Sequence, residues 1–331
     1  MGTHYNITKD SQTGIHYITL TNGPLTAVFV DFGARLHKWL VPDKSGQQEN
    51  ILLSLDTSEA ILEDTAQFGA LVGPVAGRIK DAQWKNYQLE RNHGQHHIHG
   101  GSQGWWHRFW HFDFAETKDS ISVIFSLTDT LSGYPGPITV ENTYELTKTG
   151  ITMTTRCQTE EPTIVNPTNH VYFNLSGNTK RDITRHNLMI QAEQRAETDN
   201  EAIPTGHLLP VTQTAYDFQT MTRLGDALPK LTNGLDDAYL LSTNTRRPQI
   251  ILEEPLSGRK LQITTSRQSV VVFSTTGFNA NFTVNNQPMS SQLGLALETQ
   301  ELPDIVHHPE WGEIELTRQH EKVFVTTYTV L

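Results

Sequence analysis

Apolar and polar residues alternate with a period of two along most of this chain, in short runs broken by Gly, Pro, Asn and Asp. Successive strand side chains point to opposite faces, so this pattern predicts β-structure. Residues 15–20, 25–30 and 36–41 read this way, separated by Thr21-Asn22-Gly23-Pro24 and Asp31-Phe32-Gly33. Residues 120–126, 139–146, 151–156, 249–252, 260–264 and 270–273 repeat the pattern, and 323–330 ends the chain with a run rich in Val, Thr and Tyr. Helical periodicity is scarce; 58–63 and 221–227 are the short helices it predicts. Strands recurring at intervals of about 8–12 residues point to an antiparallel sandwich or barrel. No Ser/Gly-rich or Pro-rich stretch divides the chain and no internal repeat stands out. The expectation is one all-β domain over residues 1–331, a large antiparallel β-sandwich.

Two of the strand-like segments carry ionisable residues. His170 lies in 166–175, where Val171, Phe173 and Leu175 share one face and Thr168, His170, Tyr172 and Asn174 the other. Glu298 lies in 293–300, where Leu293, Leu295 and Leu297 share the buried face. Gly294 and Ala296 stand beside Glu298 on the opposite face, small enough to leave room for a ligand. A histidine and a carboxylate on polar strand faces are the parts of a general acid–base pair. The same pattern also fits a surface histidine and a surface glutamate on amphipathic strands.

Composition narrows the choice of partner. The net charge of −11 argues against nucleic acid or an anionic membrane and is silent on neutral ligands such as sugars. The single cysteine, Cys157, excludes an internal disulfide. The N-terminal residues lack the basic-then-apolar signature of an export signal. No apolar stretch approaches the roughly 18 residues a membrane span needs, so a cytoplasmic protein is expected. There is no Walker-type loop, dinucleotide fingerprint or Gly-x-Ser-x-Gly elbow, and nothing asks for a cofactor.

Other segments carry candidate chemistry beside a plainer reading. Residues 92–101 hold four histidines among glycines; if extended, His97 and His99 project to one side. They suit a ligand-binding loop, a zinc or iron site, or a turn with exposed histidines. Arg78, after Gly77, has a planar fork suited to a substrate oxygen or to a structural carboxylate. Asp236 and Asp237 open a strand-like run and suit sugar hydroxyls or a loop. Trp105, Trp106 and Trp110 offer faces for stacking on a sugar, although core packing is expected of at least two.

Taken in order, these segments resemble the aldose 1-epimerases, the galactose mutarotase family, over nearly the whole chain. The matching segments are Gly77-Arg78-Ile79, Ile98-His99-Gly100-Gly101, 104–110, Gly133-Tyr134-Pro135-Gly136, 168–175, Gly234-Leu235-Asp236, Leu297-Glu298-Thr299-Gln300 and Leu302-Pro303-Asp304. The resemblance implies one large β-sandwich with an extended curved sheet and interconversion of the α and β anomers of a free aldose, galactose or glucose first. It implies that Glu298 takes the proton from the C1 hydroxyl and His170 protonates the ring oxygen. It implies that Arg78 and His99 bond the sugar near the reacting oxygens and that Asp236 binds hydroxyls. The substrate is then a small monosaccharide and the chain a monomer or homodimer with no metal. Gly77, where the family usually has Asn, and Asp237, where His is common, put sugar preference in doubt. Alternatives are a related sugar such as maltose, a hexose 6-phosphate, a non-catalytic sugar-binding protein, and a metalloenzyme built on the histidine cluster.

Overall fold

The alternating runs form strands close to where they are expected. Ile138–Leu146 buries Ile138, Val140, Asn142, Tyr144 and Leu146 and turns Thr139 and Glu141 to solvent, which is the period-two pattern made physical. The computed structural model describes residues 3–243, 248–279 and 281–331. Among them, nine strands form one antiparallel sheet in the spatial order His111–Glu116, Ile121–Asp129, Ile138–Leu146, Gly150–Thr159, Lys322–Val330, Arg259–Thr265, Ile250–Glu254, Asn187–Ile190 and Thr222–Arg223. A six-stranded antiparallel sheet runs in the order Tyr172–Phe173, Leu295–Gln300, Ser269–Ser274, Asp236–Leu240, Gln194–Thr198 and Pro204–Pro210. A five-stranded sheet, His4–Lys9 to Gln48–Asn50, precedes both in the chain.

The two larger sheets share a core. Leu295, Leu297, Val270 and Val272 of the six-stranded sheet belong to one buried cluster with Ile151, Met153, Leu261, Ile263 and Tyr328 of the nine-stranded one. Alternation then turns Glu298, Gln300, Val271 and Phe273 to the far face of the six-stranded sheet. That face holds the cavity described below.

One local expectation holds to within a residue and two change. The helix expected at 58–63 is Ser58–Leu62, with the Thr57 hydroxyl accepting from the Ala60 N–H. The helix expected at 221–227 shrinks to Leu224–Ala227, because Thr222–Arg223 pairs with Asn187 and Leu188 at the sheet edge instead. The segment 166–175 is not one strand. Thr168–Asn169 pairs with Leu71–Val72, Tyr172–Phe173 pairs with Leu295 and Ala296, and the chain changes partner at His170–Val171.

Candidate active site

His170 occupies the junction between those two pairings. Its N–H donates to the Ala70 carbonyl and its carbonyl accepts from the Gly69 N–H, both at 2.9 Å. Glu298 lies on the neighbouring Leu295–Gln300 strand. Arg267 clamps the two segments together. Its guanidinium donates to the Pro167 carbonyl at 2.6 Å, to the Asn166 side chain and to the Glu301 carboxylate. The Thr168 hydroxyl donates to the Thr299 carbonyl at 3.0 Å. These bonds hold His170 Nε2 3.3 Å from Glu298 Oε1, with both side chains almost wholly buried. Both faces of this strand are covered, so neither residue is the surface group of an amphipathic strand.

His99 reaches the same place by a different route from the extended chain expected of it. Only His97–Ile98 is strand, and His99 takes a left-handed backbone with φ 53°. The two histidines therefore part. His97 bonds the Tyr134 hydroxyl at 2.8 Å and the Glu90 carbonyl at 2.7 Å. The His99 ring stands 5.6 Å from that of His170. The Gly77 N–H donates to His99 Nδ1 at 3.2 Å, so the neutral ring carries its proton on Nε2. Arg78 Nη2 lies 3.4 Å from Asp236 Oδ2, and its Nε meets no hydrogen-bond partner among the described residues. Asp236 opens its strand as expected.

Burial dominates the electrostatics. It pushes the Glu298 carboxyl up to about 8, with the nearby Asp236 charge adding to the rise and Arg78 opposing it. It pushes His170 down to about 4 and His99 well below the ordinary histidine value. Burial drives the two groups apart, each toward its neutral form. Between those values the pair holds one proton, and it rests on the carboxyl. A single transfer across the 3.3 Å contact yields the carboxylate and imidazolium, which are a base and an acid side by side.

These five side chains line one cavity of about 590 Å³. Trp106 lines it too, while Trp105 and Trp110 are buried in the core. The room beside Glu298 does not come from Gly294 and Ala296: Leu53 and Tyr172 fill the space over Gly294, and Ala296 is packed in a second apolar cluster. Asp237 faces away from the cavity and pairs with Arg195 at 3.0 Å. Gly77 does line it, beside Gln300 and Pro303. Gln300 was missed by sequence reasoning. It is fully buried, lines the cavity, and neither amide atom has a partner among the described residues. Its position two residues after Glu298, on the same strand face, is the signal in the sequence that could have found it. No group of three or more His, Cys, Asp or Glu side chains is placed to hold a metal ion among the described residues.

The family model of aldose 1-epimerase matches residues 16–329. An aldose 1-epimerase of Streptococcus thermophilus is 33% identical over 334 residues, covering 95% of this chain and 90% of that protein. A galactose mutarotase of Rattus norvegicus is 30% identical over 318 residues, covering 93% and 92%. The crystal structure of a galactose 1-epimerase from Lactobacillus acidophilus superposes with a TM-score of 0.87 at 28% identity, covering 99% of this chain and 98% of that one. With a β-sandwich whose cavity floor carries a buried histidine–glutamate pair, and with matches that run almost end to end, this chain belongs to the aldose 1-epimerase family.

Proposed function

We propose that this protein catalyses mutarotation of free aldoses, galactose or glucose first, with His170 and Glu298 as its proton-transfer pair. The observation that carries the reading is their 3.3 Å contact on the buried floor of a cavity that fits a sugar. Glu298 as carboxylate takes the proton from the C1 hydroxyl while the His170 imidazolium gives one to O5. The C1–O5 bond breaks, C1 becomes an aldehyde carbon, and the C1–C2 bond turns. O5 then attacks the other face of C1 and the two protons return. Arg78 and the Nε2–H of His99 supply hydrogen bonds to oxygens that gain charge, in a site where burial strengthens such bonds. Asp236 accepts from sugar hydroxyls at the cavity mouth. General acid–base catalysis of this kind contributes ~10²–10⁴-fold, enough for a reaction already measurable in water.

In this reading the chain is one domain that works in the cytoplasm as a monomer or homodimer. Its partner is the sugar, rather than a nucleic acid or a membrane, and it uses no metal or cofactor. No helix among the described residues is long and apolar enough to cross a membrane. A free aldose is favoured over a sugar phosphate because Arg78 is the one Lys or Arg lining the cavity among the described residues, and it already faces Asp236. Polarimetry of freshly dissolved α-D-galactose and α-D-glucose tests the reaction; no acceleration of either by pure, folded protein overturns it.

Two further outcomes are expected. The rate is level through neutrality and falls above about pH 8. Raising the pH there removes the proton that the pair shares, leaving carboxylate and neutral imidazole with nothing to give to O5. A kcat/KM profile flat to pH 10 would exclude this proton inventory, since kcat/KM reports the ionisations of the free enzyme. Arg78→Lys lowers kcat/KM about tenfold, because a point charge does not replace a planar fork that meets two oxygens. An unchanged kcat/KM removes Arg78 from the reaction.

A further inference from the structure

Gln300 ends the strand that carries Glu298, lines the cavity and is fully buried. Among the described residues it is the one buried amide with neither end partnered. Asn166, buried as deeply, uses both of its ends. Its Nδ2 donates to the Glu301 carbonyl at 3.1 Å and its Oδ1 accepts from the Glu301 N–H at 3.0 Å. A buried amide left unpaired loses its hydration and gains nothing in return, so such a group in a folded protein calls for a reason.

The fold fixes this amide in place. The Ser269 hydroxyl donates to the Gln300 carbonyl at 2.6 Å, and Ser269 stands opposite Gln300 in the ladder. Thr299 turns to the other face, where its hydroxyl meets that of Thr326 at 2.6 Å. Gln300 is therefore held on the cavity side. Its neighbours there have nothing to bond it with. Gly77 has no side chain and spends its N–H on His99, and Pro303 presents ring carbons. A Cβ built at residue 77 would lie 3.4 Å from Gln300 Nε2 and 3.1 Å from Pro303 Cβ. A larger residue would cover the amide. Glycine leaves it open, at a φ of 76° that glycine adopts freely.

The strand sets the reach. At about 3.4 Å per residue, Gln300 stands about 7 Å along the strand from Glu298. A hexose with O1 at Glu298 spans that distance. Sugar hydroxyls both donate and accept, which matches an amide that offers an acceptor oxygen beside a donor NH₂.

We propose that Gln300 is a sugar-binding residue, whose amide holds a hydroxyl of the bound aldose other than O1. The proposal rests on the mutarotase reading and adds a contact that orients the ring over His170 and Glu298. It also explains why an unpaired amide is kept in the floor of the cavity: its partner arrives with the substrate.

The test is polarimetric kcat/KM, beside thermal melts, for wild type, Gln300→Met and Gln300→Leu. The sugars are α-D-glucose and its 2-, 3-, 4- and 6-deoxy forms. Methionine keeps the length and the unbranched chain without the amide. For glucose, kcat/KM is expected to fall about 10–100-fold in both variants. Tm is expected to stay at or above the wild-type value, because an apolar group replaces an unpaired polar one. With at least one deoxy sugar, wild type and variants should agree within about twofold, since the hydroxyl that Gln300 holds is already gone. An amide that served only the fold would behave otherwise, lowering Tm when removed and penalising every sugar by the same factor. Unchanged kcat/KM for glucose overturns the proposal. So does a Tm lowered by more than about 3 °C in both variants, or a loss equal for every sugar. No acceleration of any sugar by wild-type protein is the separate failure of the mutarotase reading.

Discussion

Glu298→Gln is expected to lower kcat for mutarotation by ~10²–10⁴-fold, the range that a positioned proton acceptor supplies. The amide matches the carboxylic acid in shape but cannot take the C1 hydroxyl proton. The fold should not suffer. Glu298 is buried and pushed toward its neutral form, so a neutral amide replaces a group that is itself neutral near pH 7. Tm should therefore stay within about 2 °C of wild type, which corresponds to no more than about 1 kcal/mol on the slope of roughly 2–4 °C per kcal/mol seen for domains of 150–250 residues. A folded variant with the wild-type rate would take Glu298 out of the chemistry. Polarimetry beside thermal melts separates the two effects.

Much of the molecule was legible because period-two alternation survives wherever a strand has one buried face. Residues 139–146 and 260–264 are read almost to their ends on that basis. The same rule places Asp237 opposite Asp236, and the structure puts it there, against Arg195. What alternation cannot show is a change of partner within a run. The chain around His170 looks like one strand because its side chains alternate, yet its hydrogen bonds pass from Leu71–Val72 to Leu295–Ala296. The backbone at His99, read as extended, differs for a related reason. A left-handed backbone at one residue reverses the direction of its side chain, and only the two glycines that follow it, Gly100 and Gly101, hinted at it. The five candidate residues come from separate segments, and resemblance to a family joined them before geometry did. Gln300 carried no role in the family resemblance and stands out by its unpartnered amide among the described residues.

The pair should act as a unit, and His170→Asn tests that. Asparagine keeps a polar side chain at the junction but cannot carry a proton to O5, so kcat should fall by about 10²–10³-fold with a much smaller change in KM. The backbone bonds to Gly69 and Ala70 do not depend on the side chain and hold the segment in place. The decisive comparison is the double variant with Glu298→Gln. If one proton is shared across the 3.3 Å contact, removing either partner leaves the other without its source or sink. The double variant should then be no slower than the worse single variant by more than about threefold, since groups that act together lose their effect together. Fully multiplied losses would mean that His170 and Glu298 serve independent steps. They would also mean that a second group, with His99 nearest to hand, carries the proton for one of those steps.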